Sequence, residues 1–223
     1  MSSLVLRPTD GPEDWRAFLA KPDLHWKAGY SAMETAFSWE AQKGLPPEIV
    51  RLFPNAELLL AVPEYKVALP GGTRDSQNDV FALLRDDDGI ITCMVEAKRN
   101  EPFGPTLDEW LKDASQGKLT RLASICKLLG VQPDDLDGTL RYQLFHRAAS
   151  ALVTAKQFHT KRAALVVQSF SPEHCWYDDY QAFTALFGLS PDPDELKRTL
   201  LPEGTALFFG WASCAIQTES TLG

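Results

Sequence analysis

The chain has 223 residues, of which 44% are hydrophobic and 23% charged, and this composition excludes a disordered or fibrous protein. A domain of this length buries enough surface to be stable without disulfide or metal cross-links. The net charge of -8 argues against a uniformly basic nucleic-acid coat protein. No apolar run approaches the roughly 18 residues of a membrane span, and the first residues lack the apolar segment of a leader. We therefore expect a cytoplasmic protein with no membrane partner.

The cysteines give no sign of a zinc site or a redox pair. All four stand singly, with no C-x-x-C spacing between any two of them: Cys93, Cys126, Cys175 and Cys214. We expect free thiols.

The first half of the chain predicts two helices followed by three strands. The helices are expected at 12–20 and 28–43, and the strands at 57–69, 78–85 and 89–98. Pro63 interrupts the first strand, which favours an edge position or a bulge. The second and third strands flank three consecutive aspartates, a turn signal that predicts an antiparallel hairpin.

Both faces of the hairpin are apolar. Val80, Ala82 and Leu84 alternate with Phe81 and Leu83, so both sides of the second strand carry apolar side chains. This pattern is typical of a central strand that is covered on both faces. Helices are therefore expected on either side of the sheet.

The second half predicts further helices and two more strands. They are expected as helices at 106–129, 139–158 and 177–187, and as strands at 163–170 and 205–216. The second of these helices has an apolar stripe that we expect to pack on the sheet, formed by Leu140, Leu144, Ala148, Ala151 and Ala155. The order of elements predicts an α/β protein with a central mixed sheet flanked by helices. We expect one domain over 1–223, with its core at about 28–170 and a helix and strand extension at 171–216.

Charged side chains stand at one end of the hairpin. Glu96 and Lys98 are two residues apart and so project from the same face of an otherwise apolar strand. If the turn is centred on Asp87 and Asp88, Asp79 lies directly opposite Glu96. If the register slips by two, Asp79 instead faces Lys98, and the three side chains still converge.

Two interpretations of this convergence remain open. Buried charges are costly unless they are paired or bind a cation, and Mg²⁺ prefers carboxylate oxygens together with several waters. Asp79 and Glu96 could therefore hold a metal, with Lys98 near the reacting phosphate or water, which would suit phosphodiester hydrolysis. The alternative is an ordinary cross-strand ion pair at the solvated end of a hairpin.

These residues resemble the PD-(D/E)xK nuclease superfamily, which has the restriction-endonuclease-like fold. The resemblance lies in Asp79 on one strand, Glu96-Ala97-Lys98 on the next, and helices before and after. It implies an αβββαβ core, here from about Ala28 to Phe170, with Asp79 and Glu96 as ligands of Mg²⁺ or Mn²⁺ and Lys98 as the catalytic lysine. Asn78 stands where the motif has proline.

The resemblance also implies roles for residues on the neighbouring helices. Members often add a glutamate from the helix before the first core strand, which predicts Glu34 as a third acid. In related nucleases a glutamine or basic residue on the helix after the third strand contacts the active-site carboxylate or a phosphate. This predicts Gln143 as a site residue, with Arg141 and Arg147 as contacts to nucleic acid.

The charge distribution is compatible with a nucleic-acid partner. Residues 111–165 contain nine Lys or Arg against four acids, although the whole chain is acidic. We expect a nuclease-like enzyme whose partner is DNA more readily than RNA, and a homodimer is possible. The alternatives are a catalytically inactive domain of the same fold that binds nucleic acid or a protein, and an unrelated α/β protein.

Overall fold

The computed structural model of the protein describes residues 8–41 and 44–217, and these residues contain one six-stranded sheet. The strands are β1 (Glu57–Val67), β2 (Ser76–Asp86), β3 (Gly89–Lys98), β4 (Arg162–Ser169), β5 (Leu196–Leu200) and β6 (Ala206–Ser213). Their order in the sheet is β1-β2-β3-β4-β6-β5. The pairs β3–β4 and β4–β6 are parallel, and the other neighbours are antiparallel. The predicted α/β class with a mixed sheet is confirmed.

Seven α-helices and two short 3-10 helices lie among the described residues. The α-helices are α1 (Pro22–His25), α2 (Ser31–Glu40), α3 (Pro47–Leu52), α4 (Leu107–Leu111), α5 (Gln116–Leu129), α6 (Tyr142–Gln157) and α7 (Tyr177–Ala185). The 3-10 helices are Pro12–Phe18 and Pro133–Asp135. None of these helices is long and apolar enough to cross a membrane.

The sheet separates two apolar cores, as the two-sided hairpin predicts. On one face Phe81 and Met94 pack in a cluster with residues of α5, α6 and α7. On the other face Val80 and Val95 pack with residues of α2 and α3. The α6 stripe predicted from the sequence is buried in the first cluster. Alternation along β3 therefore directs Met94, Glu96 and Lys98 towards the α6 face.

The structure differs from the predicted elements in several places, among them the short helices Pro22–His25 and Pro133–Asp135, which were not predicted. The strand β5 was not predicted, because its sequence LKRTL carries two cations and reads as a loop. The helix α3 was not predicted either, because it is only six residues long and begins beside two prolines. The first predicted helix, at 12–20, is a 3-10 helix. Residues 42 and 43 of the second predicted helix lie outside the described residues.

Pro63 lies within β1, and β1 is an edge strand as that proline predicts. The irregularity in the pairing of β1 with β2 falls between Leu58 and Leu60 rather than at Pro63. An edge strand tolerates proline because its missing N–H is not needed by a neighbour on the open side.

The loop between β1 and β2 is held against α5. Gly71 has a left-handed φ of 81°, and an added Cβ would lie 2.3 Å from the backbone nitrogen of Arg121, so only glycine fits there. The Arg121 side chain also donates to the carbonyl oxygens of Leu69 and Pro70, each at 3.1 Å. These contacts fix the chain between the two strands that carry the polar cluster described next.

Candidate functional site

The register of the hairpin is the one predicted with the turn at Asp87 and Asp88. The pairs run from Asp86 with Gly89 to Val80 with Val95, and one more step places Asp79 beside Glu96. The Asp79 carboxylate accepts the backbone N–H of Ala97 at 2.7 Å through its Oδ2 atom. This hydrogen bond of the Asp79 side chain continues the connection between β2 and β3 past Val80 and Val95, where the backbone pairing stops.

A third carboxyl group, that of Glu64, stands in line with Asp79 and Glu96 across three neighbouring strands. We call these three residues the row. Pro63 pairs with Val80 and Tyr65 pairs with Asn78, so Glu64 on β1 occupies the position opposite Asp79. Acidic residues thus stand at neighbouring positions of three adjacent strands. The sequence analysis missed Glu64 because its place depends on the pairing of β1 with β2. An eight-residue loop joins these strands and does not fix that register.

Within the row, Glu96 accepts the largest number of described hydrogen bonds. It is 1% exposed, and its Oε1 atom accepts from Lys98 Nζ and from Gln143 Nε2, each at 2.6 Å. Its Oε2 atom accepts from Arg147 Nε. Burial alone would raise the pKa of Glu96, but Arg147 and Lys98 hold that pKa below its usual value. Glu96 is therefore an anion between two buried cations.

Asp79 and Glu64 are in the opposite electrostatic situation. Burial, reinforced by the negative charges of Glu96 and Glu64, raises the pKa of Asp79 well above its usual value. Burial likewise raises the pKa of Glu64 to about 7, against a hydrogen bond from Gln77 that lowers it. In the absence of a bound cation, burial therefore favours the protonated form of both carboxyl groups.

A neutral network positions Arg147. Ser76 Oγ lies 2.8 Å from His146 Nδ1 and accepts from Ser150 Oγ at 2.8 Å, while Arg147 Nη1 lies 3.4 Å from Ser76 Oγ. Burial and the Arg147 charge hold the pKa of His146 well below its usual value, so the imidazole is neutral. Ser76 is 4% exposed and forms several hydrogen bonds, so we interpret it as a residue that supports the Arg147 guanidinium. The sequence analysis did not predict these contacts, because Ser76 lies on β2 and its partners lie on α6.

The three site residues predicted on or beside α6 have different surroundings in the structure. Gln143 contacts Glu96, and Arg147 contacts the same carboxylate from inside the protein, since it is only 6% exposed. Arg141 pairs with Asp179 of α7 at 2.9 Å and lies over the ring of Trp176. Contact of Arg141 and Arg147 with nucleic acid stays a prediction.

Glu34 is buried among residues of the opposite side of the sheet. Its Oε1 atom accepts from Arg99 Nη1 at 2.7 Å, and its Oε2 atom accepts the backbone N–H of Gln217 at 2.6 Å. Neither of these contacts joins Glu34 to Asp79 or Glu96. The helix that carries it, α2, packs on the face away from α6. A role for Glu34 as third acid stays a prediction.

The donor set of the row suits a hard divalent cation only if its contacts rearrange. Among residues 8–41 and 44–217, no group of three or more His, Cys, Asp or Glu side chains is placed to hold a metal ion. Asp79 and Glu96 offer carboxylate oxygens on adjacent strands, and Mg²⁺ needs only one or two of these when it keeps its waters. Burial, with the negative charges of Glu96 and Glu64, raises the pKa of Asp79 although the positive charges of Arg147 and Lys98 lower it. Asp79 and Glu96 would fit a metal if one Glu96 oxygen lost a hydrogen bond from a protein donor and bound the metal instead.

The fold and this cluster define an α/β protein whose mixed sheet carries buried carboxylates, a lysine and an arginine at one end of a hairpin. The chain belongs to a family described as a domain of unknown function, DUF6946, whose model matches residues 8–215. No curated protein and no solved structure matches the chain. The four cysteines are free thiols, as expected from their spacing.

Proposed function

We propose that this protein is a metal-dependent nuclease of the PD-(D/E)xK superfamily that hydrolyses phosphodiester bonds. The observation that carries the proposal is the convergence of Asp79, Glu96 and Lys98 at one end of the β2–β3 hairpin, with Gln143 of the following helix on Glu96. These are the residues for which the resemblance to that superfamily implies a role in catalysis.

Each residue has a definite part in such a reaction. Asp79 and Glu96 would hold Mg²⁺ or Mn²⁺, which lowers the pKa of a bound water and offsets charge on the phosphate. Lys98 Nζ, 2.6 Å from Glu96 Oε1, would donate to the attacking water or to a phosphate oxygen. The water oxygen would bond to phosphorus and lose a proton to solvent, the bond from phosphorus to the leaving oxygen would break, and that oxygen would take up a proton from solvent. Gln143 would orient the Glu96 carboxylate.

The substrate class belongs to the same proposal. We propose nucleic acid, with DNA favoured over RNA, because a phosphodiester suits a divalent cation beside a lysine and the region 111–165 is basic. Cytoplasmic location and dimer formation also stay proposals.

One observation favours a second candidate, a catalytically inactive domain that binds nucleic acid or a protein partner. Both Glu96 oxygens are already engaged, by Lys98, Gln143 and Arg147, so the buried anion is neutralised without a metal. A domain that has lost activity could keep this arrangement as an internal ion cluster.

A cleavage assay separates the two candidates. Purified protein is incubated with single- and double-stranded DNA and RNA, with Mg²⁺, Mn²⁺ or a chelator. We expect metal-dependent cleavage that falls by a factor of about 10²–10³ in Lys98→Ala, since a donor that stabilises developing charge is lost. The matched control is Lys156→Ala, at the exposed end of α6. Cleavage that is absent, or equal in both variants, would reject the nuclease proposal.

A further inference from the structure

Buried polar side chains without a partner are concentrated on the α6 face of the sheet. Among the described residues, five buried side-chain polar atoms lack a hydrogen-bond partner, and three of them belong to Ser169, Tyr180 and Trp211. All three side chains are fully buried, and the rings of Tyr180 and Trp211 are in contact, with centroids 5.4 Å apart. A buried donor without an acceptor costs free energy, and a bound water, ion or ligand commonly explains it. These groups therefore lack an acceptor that a ligand could supply.

The register of the sheet places Ser169 beside Lys98. Lys98 of β3 pairs with Ser169 of β4, and Val167 of β4 pairs with Trp211 of β6. Paired residues of neighbouring strands project from the same face, so these side chains share the α6 face. Lys98 Nζ donates to Glu96 Oε1, and an ammonium group carries two more N–H groups. The last residues of β3 and β4, together with Trp211 on β6, thus bring together groups that can all donate hydrogen bonds.

The ring of Phe103 lies against two of these groups. Its centroid is 5.2 Å from Lys98 Nζ and 6.4 Å from the centroid of the Trp211 ring. Phe103 belongs to the loop 99–106 between β3 and α4, which the structure describes in full and in which only Phe103 is buried. The neighbouring Pro102 and Gly104 are exposed. The loop therefore closes this edge of the sheet chiefly through one side chain.

The chemistry of these donors suits an oxyanion. Phosphate oxygens carry negative charge and accept several hydrogen bonds, which matches an ammonium, a hydroxyl and an indole N–H. A metal ion would gain no ligand from Trp211, because an indole N–H only donates. We propose that Lys98, Ser169 and Trp211 form a binding site for a phosphate group, which the Phe103 side chain closes in this structure. The inference deepens the proposed function and rests on it in taking that phosphate to be part of the phosphodiester substrate.

Titration with inorganic phosphate in metal-free buffer tests the proposal without a nucleic-acid substrate. Binding is followed through the indole N–H signals in a two-dimensional ¹H–¹⁵N spectrum, where Trp211→Phe identifies the Trp211 signal by its absence. We expect this signal to shift saturably with phosphate, but not with chloride at equal ionic strength. Ser169→Ala should weaken the Kd for phosphate about tenfold, because a hydrogen bond to a charged group is lost. The matched control, Thr154→Val near the other end of α6, removes another buried hydroxyl without a described partner and should keep the wild-type Kd.

Phe103 gives a prediction in the opposite direction. Phe103→Ala removes the side chain that phosphate has to displace, so we expect a Kd for phosphate about tenfold tighter than that of wild type. Phe183→Ala truncates another fully buried phenylalanine of the same core and should leave the Kd unchanged. If Phe103→Ala does not fold by circular dichroism, Phe103→Leu replaces it, with the same direction of change.

The outcomes separate this inference from the function on which it rests. Phosphate binding that weakens in Ser169→Ala, in a protein that does not cleave nucleic acid, would support the site and reject the nuclease. Metal-dependent cleavage without a response of the Trp211 signal to phosphate, in wild type and in the Phe103 variant, would overturn the site and leave the nuclease. A wild-type Kd in Ser169→Ala would also overturn the site.

Discussion

Two buried polar clusters lie on opposite faces of the same sheet, and they are satisfied in different ways. On the α2 face, Glu48 accepts from Ser38 Oγ at 2.7 Å and from Gln168 Nε2 at 2.6 Å, and Gln168 accepts from Trp39 Nε1 at 3.0 Å. Neutral donors account for these bonds. On the α6 face, three carboxyl groups face two cations, and two of the three have raised pKa values.

The difference distinguishes a structural network from a candidate binding site. A buried polar group with its hydrogen bonds made can stabilise one arrangement of helix and sheet. Buried carboxyl groups that lie side by side repel one another, and they cost free energy unless they take up protons or bind a cation. We therefore interpret the α2-face network as part of the fold and propose the α6-face cluster as the functional site.

The largest effect expected from this comparison concerns Arg147. Arg147→Ala leaves Glu96 with one cation in a buried site, and we expect it to lower the free energy of unfolding by about 3–5 kcal/mol. Urea unfolding measures the change. Arg141→Ala, which removes a partly buried pair between the residue before α6 and Asp179 of α7, should cost much less. Equal losses would mean that the buried cluster does not depend on Arg147.

A smaller effect is expected on the opposite face. Gln168→Ala leaves the Trp39 N–H without its acceptor and removes one donor from Glu48, so we expect a loss of about 1–3 kcal/mol. Thermal unfolding gives the stability, and a Mn²⁺ titration of the same variant should match wild type. A weakened Mn²⁺ affinity would show that the two faces are not independent.

The pH dependence of stability in metal-free buffer sharpens the comparison further. The pKa of Glu64 is raised to about 7 from 4.5, so the folded protein keeps a proton that the unfolded chain releases in this window. The contribution of Glu64 to stability therefore falls as pH rises from about 4.5 to 7. His146 acts in the opposite direction below pH 6.5, because the unfolded chain binds a proton that the folded protein excludes.

Comparison with Glu64→Gln separates the two contributions, because His146 is present in both proteins. We expect the stability of wild type relative to Glu64→Gln to decline between about pH 5 and pH 7.5, as measured by urea unfolding in a chelating buffer. A difference that is constant over this range would contradict the raised pKa of Glu64.

The smallest effect is expected at the exposed end of β1. Glu57 pairs with Arg85, and both side chains are more than half exposed, so Glu57→Gln should change stability by about 0–1 kcal/mol. Thermal unfolding in low and high salt measures this. A loss of stability as large as that of Gln168→Ala would show that an exposed acid of this protein contributes as much to stability as a buried network.

Much of the fold and part of the cluster could be predicted from the sequence. The three-aspartate turn allowed two registers of β2 and β3, and the structure has the one that places Asp79 beside Glu96. Gln143 and Arg147 were predicted from the resemblance, and their spacing of four residues places both on one side of α6. Local signals were sufficient in these cases, because a short turn or one helix determines the geometry.

The remaining features depend on contacts between distant segments. Glu64 faces Asp79 only through the pairing of β1 with β2, and Pro63 obscures the alternation that would reveal its side. Glu34 of α2 pairs with Arg99 at the end of β3, and local sequence does not predict a contact between two segments so far apart in the chain. The strand β5 forms only because β6 provides a partner for a charged segment.

The most direct test of the central claim is a Mn²⁺ titration of three proteins: wild type, Asp79→Asn on the α6 face, and Glu48→Gln on the α2 face. We predict saturable binding by wild type, loss of that binding in Asp79→Asn, and wild-type affinity in Glu48→Gln. No saturable binding by wild type, or equal binding by wild type and Asp79→Asn, would contradict the assignment of the α6-face cluster as a metal site.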